Sequence, residues 1–329
     1  MHTQTPATTE RASWRNRFFS NMWEDAGMLI VYVVMFAVVS LTVPYFLSVQ
    51  NLIGLSLSVS MVGMLACTML FCLAAGDFDL SIGSVVAFGG IFNAVMMLQM
   101  PGHIVLPVVL SLVVCFLIGL FNGFVIAKVG INALITTLAT MQIVRGLGFI
   151  MSNGVAVGIA NDEFYLLGNG TFLGVPIPIW VTLVSFLIFG FLLNRTIFGR
   201  NALAIGGNKE AARLSGIDVD LTKMVIFSLQ GLMAGAAGVI LSSRITSGQP
   251  NASQGFELDV ISACVLGGVS LSGGIGTMVG TVVGVLIMGT VQNVLNLLNV
   301  PTFYQYVVRG TVLLVAVLFD QLKQRRAPV

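Results

Sequence analysis

Charge is what this sequence has least of. Among its 329 residues, Lys and Arg total 15 and Asp and Glu 13, so charged side chains make up only 9% of the chain. Soluble domains carry about 25%; a water-facing surface cannot be covered here, and a soluble protein is excluded. Histidine is scarcer still, with only His2 and His103. The four cysteines, Cys67, Cys72, Cys115 and Cys264, stand far from both in sequence and lack the paired spacing of a metal site. No metal is expected, and buried free thiols are. No glycine-rich phosphate loop of the Walker pattern occurs, so ATP hydrolysis cannot reside in this polypeptide. A His-rich or paired-acid constellation suited to intramembrane catalysis is also missing, and no nucleic-acid partner is expected. No short apolar core with a small-residue cleavage site follows the polar N-terminus. Residues 1–27 therefore read as a tail and not as a signal peptide.

What is abundant is apolar. Hydrophobic residues make up 57% of the chain, in runs near the roughly 20 residues that an α-helix needs to cross a bilayer. The sequence predicts an all-α polytopic membrane protein with about ten spans: 28–47, 54–75, 80–98, 104–127, 131–151, 175–193, 222–243, 257–272, 277–298 and 303–320. The eighth is short and glycine-rich, so a broken or re-entrant helix is as good a reading there as a full crossing. Glycine, 37 residues in all, permits close helix–helix approach. Ten spans with both termini on one side place Arg11, Arg15, Arg17, Lys128, Arg195, Arg200, Lys209, Arg213, Lys223, Lys323, Arg325 and Arg326 together, against Arg244 alone on the other side. The positive-inside rule makes the basic side cytoplasmic. The expected organisation is a cytoplasmic tail 1–27, a transmembrane domain 28–320 and a cytoplasmic tail 321–329. An outer loop 152–174 carries Asp162 and Glu163, and an inner loop 194–221 is the largest cytoplasmic feature.

A weak internal repeat relates Asp79-Leu80-Ser81-Ile82-Gly83 to Ser270-Leu271-Ser272-Gly273-Gly274. Each follows an apolar helix and precedes a glycine-studded one. Both copies start in the same orientation, so the repeat is parallel, an arrangement found in transporters. Asp77, Asp79, Ser81, Gly267, Gly268 and Ser272 are the candidate gate or helix-break residues. Asp77 and Asp79 form either a solvated turn or a break whose carboxylates cap the third span. Glu257 and Asp259, at the start of the eighth span, either cap that helix or contact a partner.

Within the inner loop, Asn208 is a candidate N-cap and Gly216 a C-terminal stop. The helix between them, Lys209 to Ser215, has about two turns and is too short to persist alone in water. One reading packs it on the protein's own inner face. The sharper one makes Asn208, Lys209, Glu210, Ala211, Ala212, Arg213, Leu214, Ser215 and Gly216 a docking knob for a cytoplasmic partner. Ala211, Ala212 and Leu214 would enter a groove, with Glu210 and Arg213 at its rim.

Glu210-Ala211-Ala212-Arg213-Leu214-Ser215-Gly216-Ile217, after Ile205-Gly206-Gly207-Asn208, resembles the coupling-helix segment of ABC importer permeases for monosaccharides. Gly76-Asp77-Phe78-Asp79-Leu80-Ser81 and the stretch from Val265 to Gly274 resemble the same family. The stretches Asn132–Leu147 and Thr246–Pro250 are most similar to its arabinose-type members. The resemblance implies a pair of permease subunits, forming a homodimer in the arabinose case, in the bacterial inner membrane. They would sit over a cytoplasmic ATP-binding subunit and beneath a periplasmic sugar-binding protein. It further implies that ATP and Mg are bound by the partner ATPase, with no cofactor in this chain, and that the pathway alternates its access as the coupling helices move.

Candidate pathway residues are polar groups inside the spans. Asn132, Thr136 and Thr140 recur at four-residue spacing on one helical face, with Thr137 and Gln142 beside them. Asn293 and Asn296 lie in the ninth span. Such groups either exchange hydrogen bonds with a sugar or bond between helices. Arg145 and Arg309, toward the outer ends of their spans, either snorkel to the headgroups or face the bundle interior. An ion-coupled secondary carrier is the alternative function. It accounts for the spans but leaves the short inner helix unexplained and lacks an evident ion site.

Overall fold

A computed structural model describes the backbone of residues 27–326 and side chains as far as Leu318, together with Gln321. The N-terminal tail with Arg11, Arg15 and Arg17 lies outside the described residues, as do the side chains of Lys323, Arg325 and Arg326. The chain runs α1 (Gly27–Thr42), α2 (Val49–Ala74), α3 (Ile82–Gln99), α4 (Val105–Phe124) and a π-helical turn, Val125–Val129. Next come α5 (Ala133–Ser152), β1 (Val157–Gly158), α6 (Asp162–Asn169), β2 (Thr171–Phe172) and β3 (Val175–Pro176). They are followed by α7 (Ile177–Arg195), α8 (Ile197–Gly207), α9 (Lys209–Leu214) and α10 (Val219–Arg244). Last are β4 (Ser247–Gly248), α11 (Phe256–Leu266), α12 (Met278–Leu297) and α13 (Thr302–Arg326). This is an all-α polytopic membrane protein. Its only strands among the described residues are two short antiparallel pairs, β1 with β4 and β2 with β3.

Among the described residues, seven helices are long and apolar enough to cross a membrane: α2, α3, α4 with its π turn, α5, α7, α10 and α12. The other three expected spans are shorter. The first, expected to reach residue 47, ends at Thr42. Proline disfavours helical backbone in the residue before it, and Pro44 follows two residues on. The tenth contributes an apolar stretch, Thr302–Leu318, while its helix continues to Arg326. The eighth is α11, with 11 residues. At about 1.5 Å per residue it spans roughly half of a 30 Å hydrocarbon core, so the broken-helix reading holds.

α2 forms the centre of the bundle, buried continuously from Ser60 to Ala74. Around it, α10 crosses α4 with backbone against backbone. A Cβ on Gly119 would run into the Phe227 carbonyl, and one on Gly231 into the Cys115 carbonyl. Small residues allow this proximity, which van der Waals packing rewards where lipid supplies no hydrophobic drive. Cys67, Cys72, Cys115 and Cys264 are buried and free.

At one end of the bundle, α8 and α9 share the connection where a single short helix was expected. α8 ends at Gly206-Gly207, wedged where a Cβ on Gly206 would meet the Ala74 carbonyl and the Gly274 amide. The Gly274 N–H in turn donates to the Ala74 carbonyl at 2.9 Å. The second of the two similar stretches, 270–274, thus meets the end of α2 just before the first, 79–83. The opposite end carries α6, capped by the Asn161 side chain, which accepts the Phe164 N–H at 2.8 Å.

Candidate functional site: a docking helix and a buried polar chain

α9 is closed at both ends by its own sequence. The Asn208 side chain accepts the Ala211 N–H at 2.9 Å, satisfying a donor that the first turn leaves free. At the other end Gly216 has φ +85°. Its N–H donates to Arg213 O at 3.0 Å, and that of Ile217 to Ala212 O at 3.1 Å. That pair of bonds is a Schellman closure. Ser215 donates its hydroxyl to Ala211 O.

The two faces of α9 differ. Leu214 is 88% exposed, and Lys209, Glu210, Ala211 and Arg213 lie on the surface with it, whereas Ala212 is only 5% exposed. This corrects the expected docking face: Ala212 is the foot on which the helix stands on its own chain, and it is not offered to a partner.

Beneath α9, the first turn of α10 collects ion pairs. Asp220 lies 3.0 Å from Lys128 on the π turn of α4 and 3.6 Å from Arg213 on α9, and Arg213 is 4.0 Å from Glu210. One helical turn on, Lys223 Nζ sits 2.7 Å from Asp77 Oδ2, both side chains about nine-tenths buried. Asp77 and Asp79 are therefore not a solvated turn. Burial pushes the Asp77 carboxyl up, against the pull of Lys223 beside it. Asp79 rises to about 6, because burial outweighs two hydrogen bonds from Ser81.

From Asp79 a chain of buried polar groups crosses three elements. Asp79 Oδ1 accepts from the Ser81 N–H at 2.8 Å and the Ser81 hydroxyl at 2.6 Å. Asn122 of α4 donates to Ser81 Oγ at 3.1 Å, and Thr140 of α5 donates to Asn122 Oδ1 at 2.6 Å. Thr137 bonds to Ala133 O and reaches Phe78 O at 3.5 Å. Thr136 turns back to Asn132 O, and exposed Asn132 caps α5 through Leu134 N. Gln142 is exposed.

The other polar candidates also have partners. Arg145 donates through one guanidinium nitrogen to Pro250 O and Ala252 O, each at 2.8 Å. Asn293 and Asn51 exchange reciprocal amide bonds at 2.7 and 3.0 Å between α12 and α2. Asn296 accepts from Gln305 at 3.0 Å. Arg309 pairs with buried Asp259 at 3.2 Å. Gly267 packs against the Gly280 backbone, Gly268 takes φ +79°, and the Ser272 N–H donates to Ser270 Oγ at 3.2 Å. A mainly apolar cavity of about 330 Å³ lies elsewhere, between α1, α2 and α7.

Sequence reasoning missed Asn51, Asn122, Asp220 and Lys223 as members of these networks. Their signal was rarity: an amide or charge in so apolar a chain requires a partner when buried.

The model of a family described as the permease component of the branched-chain amino acid transport system matches residues 51–317. The chain is 56% identical over 307 residues to the L-arabinose transport system permease protein AraH of Escherichia coli K12, covering 93% of each chain. It is 54% identical to the L-arabinose ABC transporter permease protein AraH of Azospirillum brasilense, over 92% of this chain and 89% of that one. With the ribose import permease protein RbsC of Bacillus subtilis it shares 42%, over 93% and 95%. No solved structure matches the chain. This chain, a bundle of apolar helices matched by these relatives along nearly its whole length, belongs to the family of transport-system permease components, in the company of monosaccharide ABC permeases.

Proposed function

We propose that this chain is the membrane-spanning subunit of an ATP-driven, binding-protein-dependent importer of L-arabinose. It has no ATPase of its own: a cytoplasmic ATP-binding subunit holds ATP and Mg and hydrolyses the nucleotide. A periplasmic sugar-binding protein delivers the sugar, and a second copy of the permease completes the pathway in the lipid of the bacterial inner membrane, with both termini cytoplasmic. The observation that carries the reading is α9, a helix capped at both ends, anchored by Ala212 and with Leu214 88% exposed. Identities of 56% and 54% to L-arabinose permeases, over more than nine-tenths of the chain, support the substrate.

In this mechanism ATP closes the ATPase pair, α9 moves with it, and the helices around segments 75–81 and 267–277 change which side of the membrane they open to. Arg145, Gln142, Asn132, Thr136, Thr137, Thr140, Asn293, Asn296 and Arg309 are the polar groups from which the pathway would draw its contacts. Asp77, Asp79, Ser81, Gly267, Gly268 and Ser272 would shape the gate. The test is reconstitution with the ATP-binding subunit and the binding protein, followed by uptake of labelled L-arabinose. Uptake that requires both partners and ATP is expected. Uptake driven by an ion gradient without the ATPase would overturn the importer reading, and ATP-dependent uptake of a different sugar alone would overturn only the substrate.

A further inference from the structure

The first turn of α10 touches three elements at once. Through Asp220 it holds α9, at Arg213, and the π turn of α4, at Lys128. Through Lys223 it holds the connection 75–81, at Asp77. Asp220 and Lys223 are three residues apart, so they lie on neighbouring positions of one helical face. The connection they reach continues two residues later into Asp79, Ser81, Asn122 and Thr140. We propose that this turn passes displacement of α9 to the buried polar chain, with Asp220 and Lys223 as positioning residues; the proposal rests on the importer reading above.

The two ends of this link differ in the way a transmitter requires. The pairs made by Asp220 are partly exposed, with Lys128 and Arg213 side chains half in solvent. Water replaces such contacts readily, and they hold weakly. They tie α9 and the π turn to the end of α10 while leaving the geometry of the contact adjustable. The Lys223–Asp77 pair is about nine-tenths buried, so bulk solvent does not readily take the place of either partner. Separating it strands a charge inside the protein. A tilt of α10's first turn must therefore carry Asp77 with it.

Two further features stand at the same place. The segment bearing Lys128 is π-helical and ends in Gly130 at φ +83°; π turns are costly to keep and concentrate at functional positions. Gly206 at the end of α8 lies against the Ala74 carbonyl, the residue from which the connection starts. Both strands of the link, α8 through Gly206 and α9 through Asp220, converge on residues 75–81.

The experiment measures labelled L-arabinose uptake and ATP hydrolysis in the same proteoliposomes, containing the permease, its ATP-binding subunit and the binding protein. Asp77→Asn and Lys223→Met are each expected to lower the sugar imported per ATP hydrolysed at least tenfold, with hydrolysis itself within about twofold of wild type. The double variant, which strands no charge but also lacks the pair, is expected to keep the lowered ratio; a ratio restored to wild type would show that a stranded charge alone caused the loss and overturn the proposal. Uptake and hydrolysis falling in step, with the ratio unchanged, would show a merely structural pair and overturn the proposal. Should the buried single variants fail to insert, Asp220→Asn, on the exposed side, decides: a threefold or greater fall in the ratio supports the link, and an unchanged ratio overturns it. Wild-type uptake that needs no ATPase would instead remove the importer reading, which the unmutated control reports by itself.

Discussion

Leu214→Glu and Ala212→Glu place the same side chain two residues apart on one short helix, with opposite expected consequences. Leu214 is 88% exposed and touches little of its own chain, so replacing it removes no internal packing. If α9 docks on the ATP-binding subunit, Leu214 is buried there, and burying a leucine contributes about 1.5–3 kcal/mol. At about 1.4 kcal/mol per factor of ten, its loss weakens binding roughly 10- to 150-fold, before any cost of burying a carboxylate. Ala212 is 5% exposed, and a carboxylate forced into that space is desolvated without a partner, an expensive change. The assay titrates purified ATP-binding subunit onto fluorescently labelled, detergent-solubilised permease and records the thermal midpoint of the permease alone. Leu214→Glu is expected to keep the midpoint and lose affinity; Ala212→Glu is expected to lower the midpoint. Unchanged affinity in Leu214→Glu would refute the docking role of α9.

Three further outcomes are expected. Gly206→Val forces a side chain against the Ala74 carbonyl and the Gly274 amide; overpacking of this kind costs about 1–3 kcal/mol, and a thermal midpoint equal to wild type would refute the close approach. Arg309→Leu leaves Asp259 buried without its partner, at a cost of about 3–5 kcal/mol. The double variant Asp259→Asn with Arg309→Leu should regain most of this, and a double as unstable as the single would count against a paired charge. Asp79 has a folded-state value of about 6, above the ordinary ~3.9 of an aspartate. The stability it contributes is complete below that ordinary value and is lost as pH rises through about 6. Going from about pH 5 to about pH 7.5 should therefore destabilise wild type by about 1 kcal/mol more than Asp79→Asn; parallel pH profiles of thermal stability would contradict this.

The amino-acid sequence by itself determined the class of the protein, because the cost of exposing or burying charge is set by composition. Nine per cent charged residues and apolar runs of helical length leave only a helical membrane protein. It also determined α9, since a cap and a glycine stop act within a few residues: Asn208 and Gly216 were readable and are where α9 begins and ends. The break in the eighth span was readable as an alternative from its glycines, and the end of α1 was readable from Pro44, though the apolar run beyond it obscured the stop. Tertiary structure alone decided which face of α9 is free, because Ala211, Ala212 and Leu214 are all apolar in sequence and only packing distinguishes the buried Ala212. It also decided that Lys223, expected at the cytoplasmic end of the seventh span, is buried against Asp77, and that Thr140 bonds to Asn122. Such partners lie far apart along the chain. Hydrogen bonds and ion pairs between distant residues depend on where the helices cross, and those crossings are set by backbone contacts at glycines such as Gly119, Gly206 and Gly231.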